Sequence, residues 1–159
     1  MPIIKSVPVR TTVQKSLAYI LNPDKTEQLL YTASLNCMTD AANAYPERLS
    51  LGMQRRASLA RGFILEPDIL LMDEPFVSLD DPTAQSLRQL LIELCQRHPT
   101  TVIFVTHDRA EAVQLATRIL RLAPGKASVV QDASVKLTTA ERSDRSRVLA
   151  EQNRIFSAA

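Results

Sequence analysis

The chain has 159 residues, 45% hydrophobic and 23% charged, a globular composition that excludes a disordered chain. Its net charge of +2, from 19 basic and 17 acidic side chains, gives no electrostatic case for nucleic acid or an anionic membrane surface. No apolar run approaches the length of a membrane span, and the opening MPIIKSVPVRTTVQKS lacks the sustained apolar core of a signal peptide. Cys37 and Cys95 stand far apart, outside any CxxC spacing, and read as reduced, buried thiols of a cytosolic protein. There are three glycines, Gly52, Gly62 and Gly125.

In chain order, residues 12–21 carry Val13, Leu17, Ile20 and Leu21 as a helical stripe, stopped by Asn22-Pro23. A second helix is expected at 24–37, and Tyr45-Pro46 ends this helical region. A third helix spans 50–65, with Met53, Ala57, Ala60 and Ile64 on one face, and Pro67 ends it. The period then changes. Residues 68–72 form a short continuous apolar run, the pattern of a strand buried on both faces of a parallel sheet. Asp80-Asp81-Pro82 is a helix start with an acidic cap, and Leu87, Leu90, Leu91, Leu94 and Cys95 make the inner stripe of a helix reaching about His98. Residues 100–106 are a second β-branched strand. Asp108 can cap a helix with Ala112, Leu115, Ala116 and Ile119 inward; residues 119–123 read as a strand, Pro124-Gly125 as a turn and 127–130 as an edge strand. The polar end, 132–159, includes a weakly amphipathic helix at 138–156 with a Glu141–Arg145 pair. Alternating strands and helices between 68 and 123 predict an α/β fold with a parallel sheet, behind a helical lobe formed by the first 48 residues.

Several residues could carry phosphate chemistry. Asp73-Glu74 close an apolar strand, where parallel α/β folds place their ligands. Neighbours on an extended chain point to opposite sides, so one carboxylate can hold a hydrated Mg²⁺ while the other orients or deprotonates a water. Alone, Asp-Glu-Pro is equally an ordinary solvated turn. His107 ends the next strand, where it can contact a phosphate, share a proton with a base, or simply cap the following helix. Ser50-Leu51-Gly52 opens a helix whose free N–H groups and partial positive charge suit an anion, although a serine cap needs no ligand. Arg55, Arg56 and Arg61 on that helix would by default be a solvated face.

In order, the pieces run LSLG, a helix with RRASLAR, EPDILLMDEP, SLD and VTHDRAEA. Together they closely resemble the ATP-binding subunits of ABC transporters, most of all the nitrate/sulfonate/taurine-type importer subunits, over roughly residues 10–131. The resemblance implies a partial P-loop NTPase fold, ATP and Mg²⁺ as cofactors, a second ATPase subunit and membrane permease subunits as partners, and a peripheral place on the inner face of the cell membrane; it implies no nucleic acid. Ser50, Leu51, Gly52 and Met53 match the signature motif, which in the family binds ATP held by the opposite subunit. Asp73 matches the Walker B aspartate that holds Mg²⁺ through water, and Glu74 the catalytic base. Asp80 closes the D-loop match, 78–80, and His107 matches the histidine that contacts the γ-phosphate. Residues 1–48 would be part of the helical subdomain, 49–131 the signature helix and C-terminal part of the ATPase core, and 132–159 a polar tail. The family signature is usually LSGGQ, so Leu51 and Met53 stand where Gly and Gln are common.

No GxxxxGK[ST] occurs among the 159 residues, and the family's Q-loop glutamine would fall about where Ile3 stands. The expectation is therefore the C-terminal part of an ABC importer ATPase, unable to bind ATP tightly or hydrolyse it alone, with an apolar sheet edge left open. The alternative is a non-catalytic half that lends its signature motif in trans to a complete ATPase. An ABC-type ATPase of DNA maintenance fits less well, since no heptad run is present.

Overall fold

The computed structural model describes residues 44–64, 66–125 and 128–157. The helices expected at 12–21 and 24–37, most of the proposed helical subdomain and the Ile3 position lie outside the described residues. The chain divides into two compact units between Val105 and Thr106.

The first unit opens with a 3₁₀ turn, Pro46–Arg48, followed by helix α1, Leu51–Ile64. Ala57 and Ala60 of the expected stripe are buried, joined by Leu59 and Phe63, while Met53 is only half-buried. Strand β1, Ile69–Asp73, leads through a turn into α2, Asp81–Arg97, and then β2, Thr101–Val105. The start of α2 is built as its sequence specifies. Asp80 is the N-cap, its carboxylate accepts the Thr83 N–H, and a proline follows in the first turn. Leu87, Leu90, Leu91 and Leu94 are all buried, and α1 and α2 pack on each other.

β1 and β2 pair in parallel, Ile69 opposite Thr101 through Asp73 opposite Val105. The expectation of a strand buried on both faces is corrected here. Leu70 (0% exposed) and Met72 are buried, but Ile69 is 41% exposed. The pleat sends alternate side chains to opposite faces, and among the described residues only one face is covered. Ile103 and Val105 of β2 are likewise exposed.

The second unit holds α3, Arg109–Leu115, strands β3, Arg118–Leu122, and β4, Val129–Ser134, a 3₁₀ turn, Glu141–Ser143, and α4, Arg145–Phe156. β3 was expected as a further parallel strand; it pairs antiparallel with β4 in a two-stranded sheet of its own. Pro124-Gly125, with Gly125 at φ +68°, reverses the chain at once, so the neighbouring strand is reached by a short loop. The helix expected at 138–156 is broken at Asp144, which caps α4 through the N–H groups of Ser146 and Arg147. Glu141 and Arg145 therefore do not share one α-helix, and Glu141 accepts the Thr138 N–H (2.9 Å) and hydroxyl (2.8 Å). Val113, Val148 and Ile155 form the core, flanked by Ile119, Ala133 and Val135.

Candidate nucleotide-facing site

Two helix starts in the first unit define the candidate site. At the first, Leu49 is buried and Ser50 is exposed. Ser50 Oγ accepts the Met53 N–H at 3.3 Å and its carbonyl accepts the Gln54 N–H at 2.9 Å, while Gln54 Nε2 donates to the Leu49 carbonyl at 3.1 Å. Ser50 is thus the cap of α1, and the N–H groups of Leu51 and Gly52 belong to the first turn, where a helix has no partners of its own to offer. Leu51 is 40% exposed. Gly52 has a specific reason to be glycine: a Cβ there would stand 2.6 Å from Thr83 Cγ2. The glycine thus admits a close approach of α2.

At the second helix start, Asp73 ends β1 as an exposed carboxylate opposite Val105. The Glu74 N–H donates to the Val105 carbonyl at 2.9 Å, so the ladder reaches one residue past the strand. Glu74 has φ +43°, and Ser78 has φ +63°. The expectation that Asp73 and Glu74 lie on an extended chain is corrected by this left-handed backbone, which turns Glu74 out of the strand's alternation. Phe76 is 3% exposed and anchors the turn, with the Arg88 guanidinium 5.8 Å from its ring centre. Asp80 accepts the Thr83 N–H at 3.2 Å. Hydrogen bonding to Thr83 holds its carboxyl below the usual carboxylate range.

His107 is exposed and falls in the second unit, two residues past Val105. Asp108, and not His107, caps α3, accepting the N–H groups of Ala110 (2.7 Å) and Glu111 (3.2 Å). The buried Glu111 accepts the Thr106 hydroxyl at 2.8 Å, and Thr106 Oγ1 accepts the Asp108 N–H at 3.0 Å.

Sequence reasoning passed over several of these residues. Arg56 is not simply solvated, because its Nη2 donates to Ser86 Oγ at 2.9 Å, from α1 to α2. Arg55 and Arg61 keep buried Nε atoms without a hydrogen-bond partner among the described residues. Thr83 carried no signal beyond its place in a first turn. Glu111 could have been found from the Asp-x-x-Glu spacing after Asp108.

Chemically, one exposed carboxylate on a strand end suits Mg²⁺, which keeps several waters and takes one or two carboxylates beside substrate phosphates. Among the described residues no three-ligand His/Cys/Asp/Glu cluster exists that could hold a metal without such help.

Comparison with solved structures finds this α/β arrangement in ATP-binding cassette domains. A dimeric ATP-binding cassette in a post-hydrolysis state with ADP and Pi aligns with TM-score 0.67 and 25% identity, over 83% of this chain and 60% of that one. CbiO1 of Clostridium perfringens, part of an ABC transporter complex, aligns with TM-score 0.70 and 19% identity, over 93% of this chain and 59% of that one. The fold is that of part of a P-loop NTPase domain of the ABC ATPase class. In sequence, residues 6–77 match the ABC transporter family. The aliphatic sulfonates import ATP-binding protein SsuB 2 of Pseudomonas savastanoi is 49% identical over 84 residues, 53% of this chain and 31% of that protein. The protein of the same description from Rhizobium johnstonii is 47% identical over 96 residues, 60% of this chain and 38% of its own length. Over part of its length the chain is thus similar to aliphatic sulfonates import ATP-binding proteins, and it spans about a third of the length of these curated relatives.

Proposed function

We propose that these residues are the signature and Walker B part of an ABC importer's ATP-binding subunit, which couples ATP binding and hydrolysis to solute uptake. Aliphatic sulfonates are the cargo class this reading favours, in line with the descriptions of the relatives. The observation that carries this reading is Asp73, which ends β1 opposite Val105, with Glu74 turned out of the strand beside it, before the Asp80-capped start of α2. Asp73 would hold Mg²⁺, which when bound would neutralise charge on the phosphates. Glu74, turned out of the strand by its backbone, accepts the proton of an attacking water. His107 hydrogen-bonds the γ-phosphate. Ser50, Leu51, Gly52 and Met53, with Asp80, face a nucleotide held by a second ATPase subunit. Permease subunits complete the assembly at the inner face of the membrane; no helix among the described residues is long and apolar enough to cross it.

The 159 residues contain no GxxxxGK[ST], so the backbone and lysine cradle for the triphosphate comes from residues outside them. Taken alone, these residues bind ATP weakly and do not turn it over. The test mixes the purified chain with a complete importer ATPase subunit and follows association by sedimentation with and without Mg·ATP. ATP-dependent association, lost when Ser50→Arg blocks the helix start, is the expected result. No association at saturating ATP, or association indifferent to Ser50→Arg, would refute the reading, as would tight ATP binding by the chain alone.

A further inference from the structure

The two helix starts of the first unit are tied to each other by side chains to which neither the family resemblance nor the sequence assigned a role. Gly52, two residues past the Ser50 cap, leaves room for the Thr83 methyl and nothing larger, since a Cβ at 52 would meet Thr83 Cγ2 at 2.6 Å. Thr83 in turn is held by the Asp80 cap through its N–H, at 3.2 Å. One turn further along both helices, Arg56 Nη2 donates to Ser86 Oγ at 2.9 Å. A steric stop and a charge-assisted hydrogen bond thus join α1 to α2 at successive turns, which restrains both sliding and rotation of one helix on the other.

We propose that Thr83, Arg56 and Ser86 act as positioning residues, a clasp that makes the Ser50–Gly52 turn and the Asp80 turn one rigid block. This deepens the functional proposal and rests on it for its purpose: both turns face a nucleotide on the second subunit, and a fixed spacing lets one binding event engage both. The clasp itself is independent of nucleotide. Ser86 and Arg56 act through the helix starts they hold.

The test is amide hydrogen exchange on the full chain with Ser86→Ala, Ser86→Thr and Arg56→Gln. Ser86→Ala and Arg56→Gln should speed exchange at amides 53–56 and 83–86 together, by about fivefold, as befits one solvent-exposed hydrogen bond to a charged group. Ser86→Thr, which keeps the hydroxyl, should restore protection, and amides 102–104 of β2 should not change. Unchanged exchange at 53–56 in Ser86→Ala, or an equal rise over the whole unit, would overturn the clasp. The sedimentation assay separates the two claims. Wild-type chain that shows coupled exchange but no ATP-dependent association refutes the functional proposal and leaves the clasp standing. ATP-dependent association with unaltered exchange in Ser86→Ala does the reverse.

Discussion

An alanine at position 52 would set its Cβ 2.6 Å from Thr83 Cγ2, closer than two carbon atoms can approach. Alanine in a helix is favoured over glycine by about 1 kcal/mol, less in a first turn. The overlap forces Thr83 off its rotamer or α1 away from α2, at a cost of about 1–3 kcal/mol. Gly52→Ala should therefore lower stability by about 1 kcal/mol in urea unfolding. Adding Thr83→Ser, which removes Cγ2, should restore it; a Gly52→Ala protein as stable as the parent would show that Thr83 yields without cost. Glu74 and Ser78, at φ +43° and +63°, are the other residues of the site under local strain. A left-handed non-glycine residue costs roughly 1 kcal/mol or more and persists where its surroundings hold it. Here the Glu74 N–H bond to Val105 and the buried Phe76 supply that hold.

Helix α3 has seven residues, too few to be stable by propensity alone. Both of its ends are satisfied by side chains. Asp108 takes the first N–H groups, and Arg142 Nη1 donates to the carbonyls of Val113 (3.1 Å), Gln114 (2.9 Å) and Ala116 (2.9 Å). A cation at the negative end of the helix is also favoured by the helix dipole. Arg142→Met keeps the apolar stem and removes the donors, which should destabilise the second unit by about 1–3 kcal/mol, read as faster amide exchange at 112–116. No change there would mean that water replaces the guanidinium. The strands show the opposite condition: Ile69, Ile103 and Val105 in the first unit, and Leu120 and Leu122 in the second, are each at least two-fifths exposed.

At the scale of the whole molecule, the two units are held by different means. The first rests on leucine and aromatic burial, from Leu70 and Phe76 to the stripe of α2. The second adds a polar knot, in which Glu151, 7% exposed, accepts the Lys136 N–H at 2.6 Å and pairs with Arg154 at 2.6 Å, while Arg154 Nη2 also donates to the Ser134 carbonyl at 2.8 Å. The Arg154 bonds, then the Lys136 N–H, pull the Glu151 carboxyl from its ordinary 4.5 down to about 2, against the cost of burial. A depressed carboxyl stabilises the fold above its unfolded value and ceases to as pH falls through the folded value. The second unit should therefore lose stability as pH drops from about 4.5 to about 2. The loss is at most about 3 kcal/mol, and smaller because Arg154 is partly in water. Glu151→Gln should flatten that pH dependence and lower stability at neutral pH. An unchanged acid profile in the variant would place the proton uptake elsewhere.

What the sequence determined by itself is what short-range chemistry encodes. The Asp80 and Asp108 caps, the leucine stripe of α2 and the positions of β1 and β2 each depend on residues within a turn or two, and the structure shows all of them. The motif order LSLG, DEP, SLD and THD was also readable, because each motif is local and only their sequence along the chain matters. Tertiary structure alone decided the rest. The Arg56–Ser86 bond joins residues 30 apart, and Arg142 reaches carbonyls 26 to 29 residues away. Gly52 is glycine because of Thr83, β3 pairs with β4, and Glu74 leaves the extended conformation although its neighbours on the N-terminal side form a strand. These features arise where one element is packed against another. Periodicity records only that a face is apolar; which group meets which across that face is settled by register, crossing geometry and available space, once the chain has closed on itself.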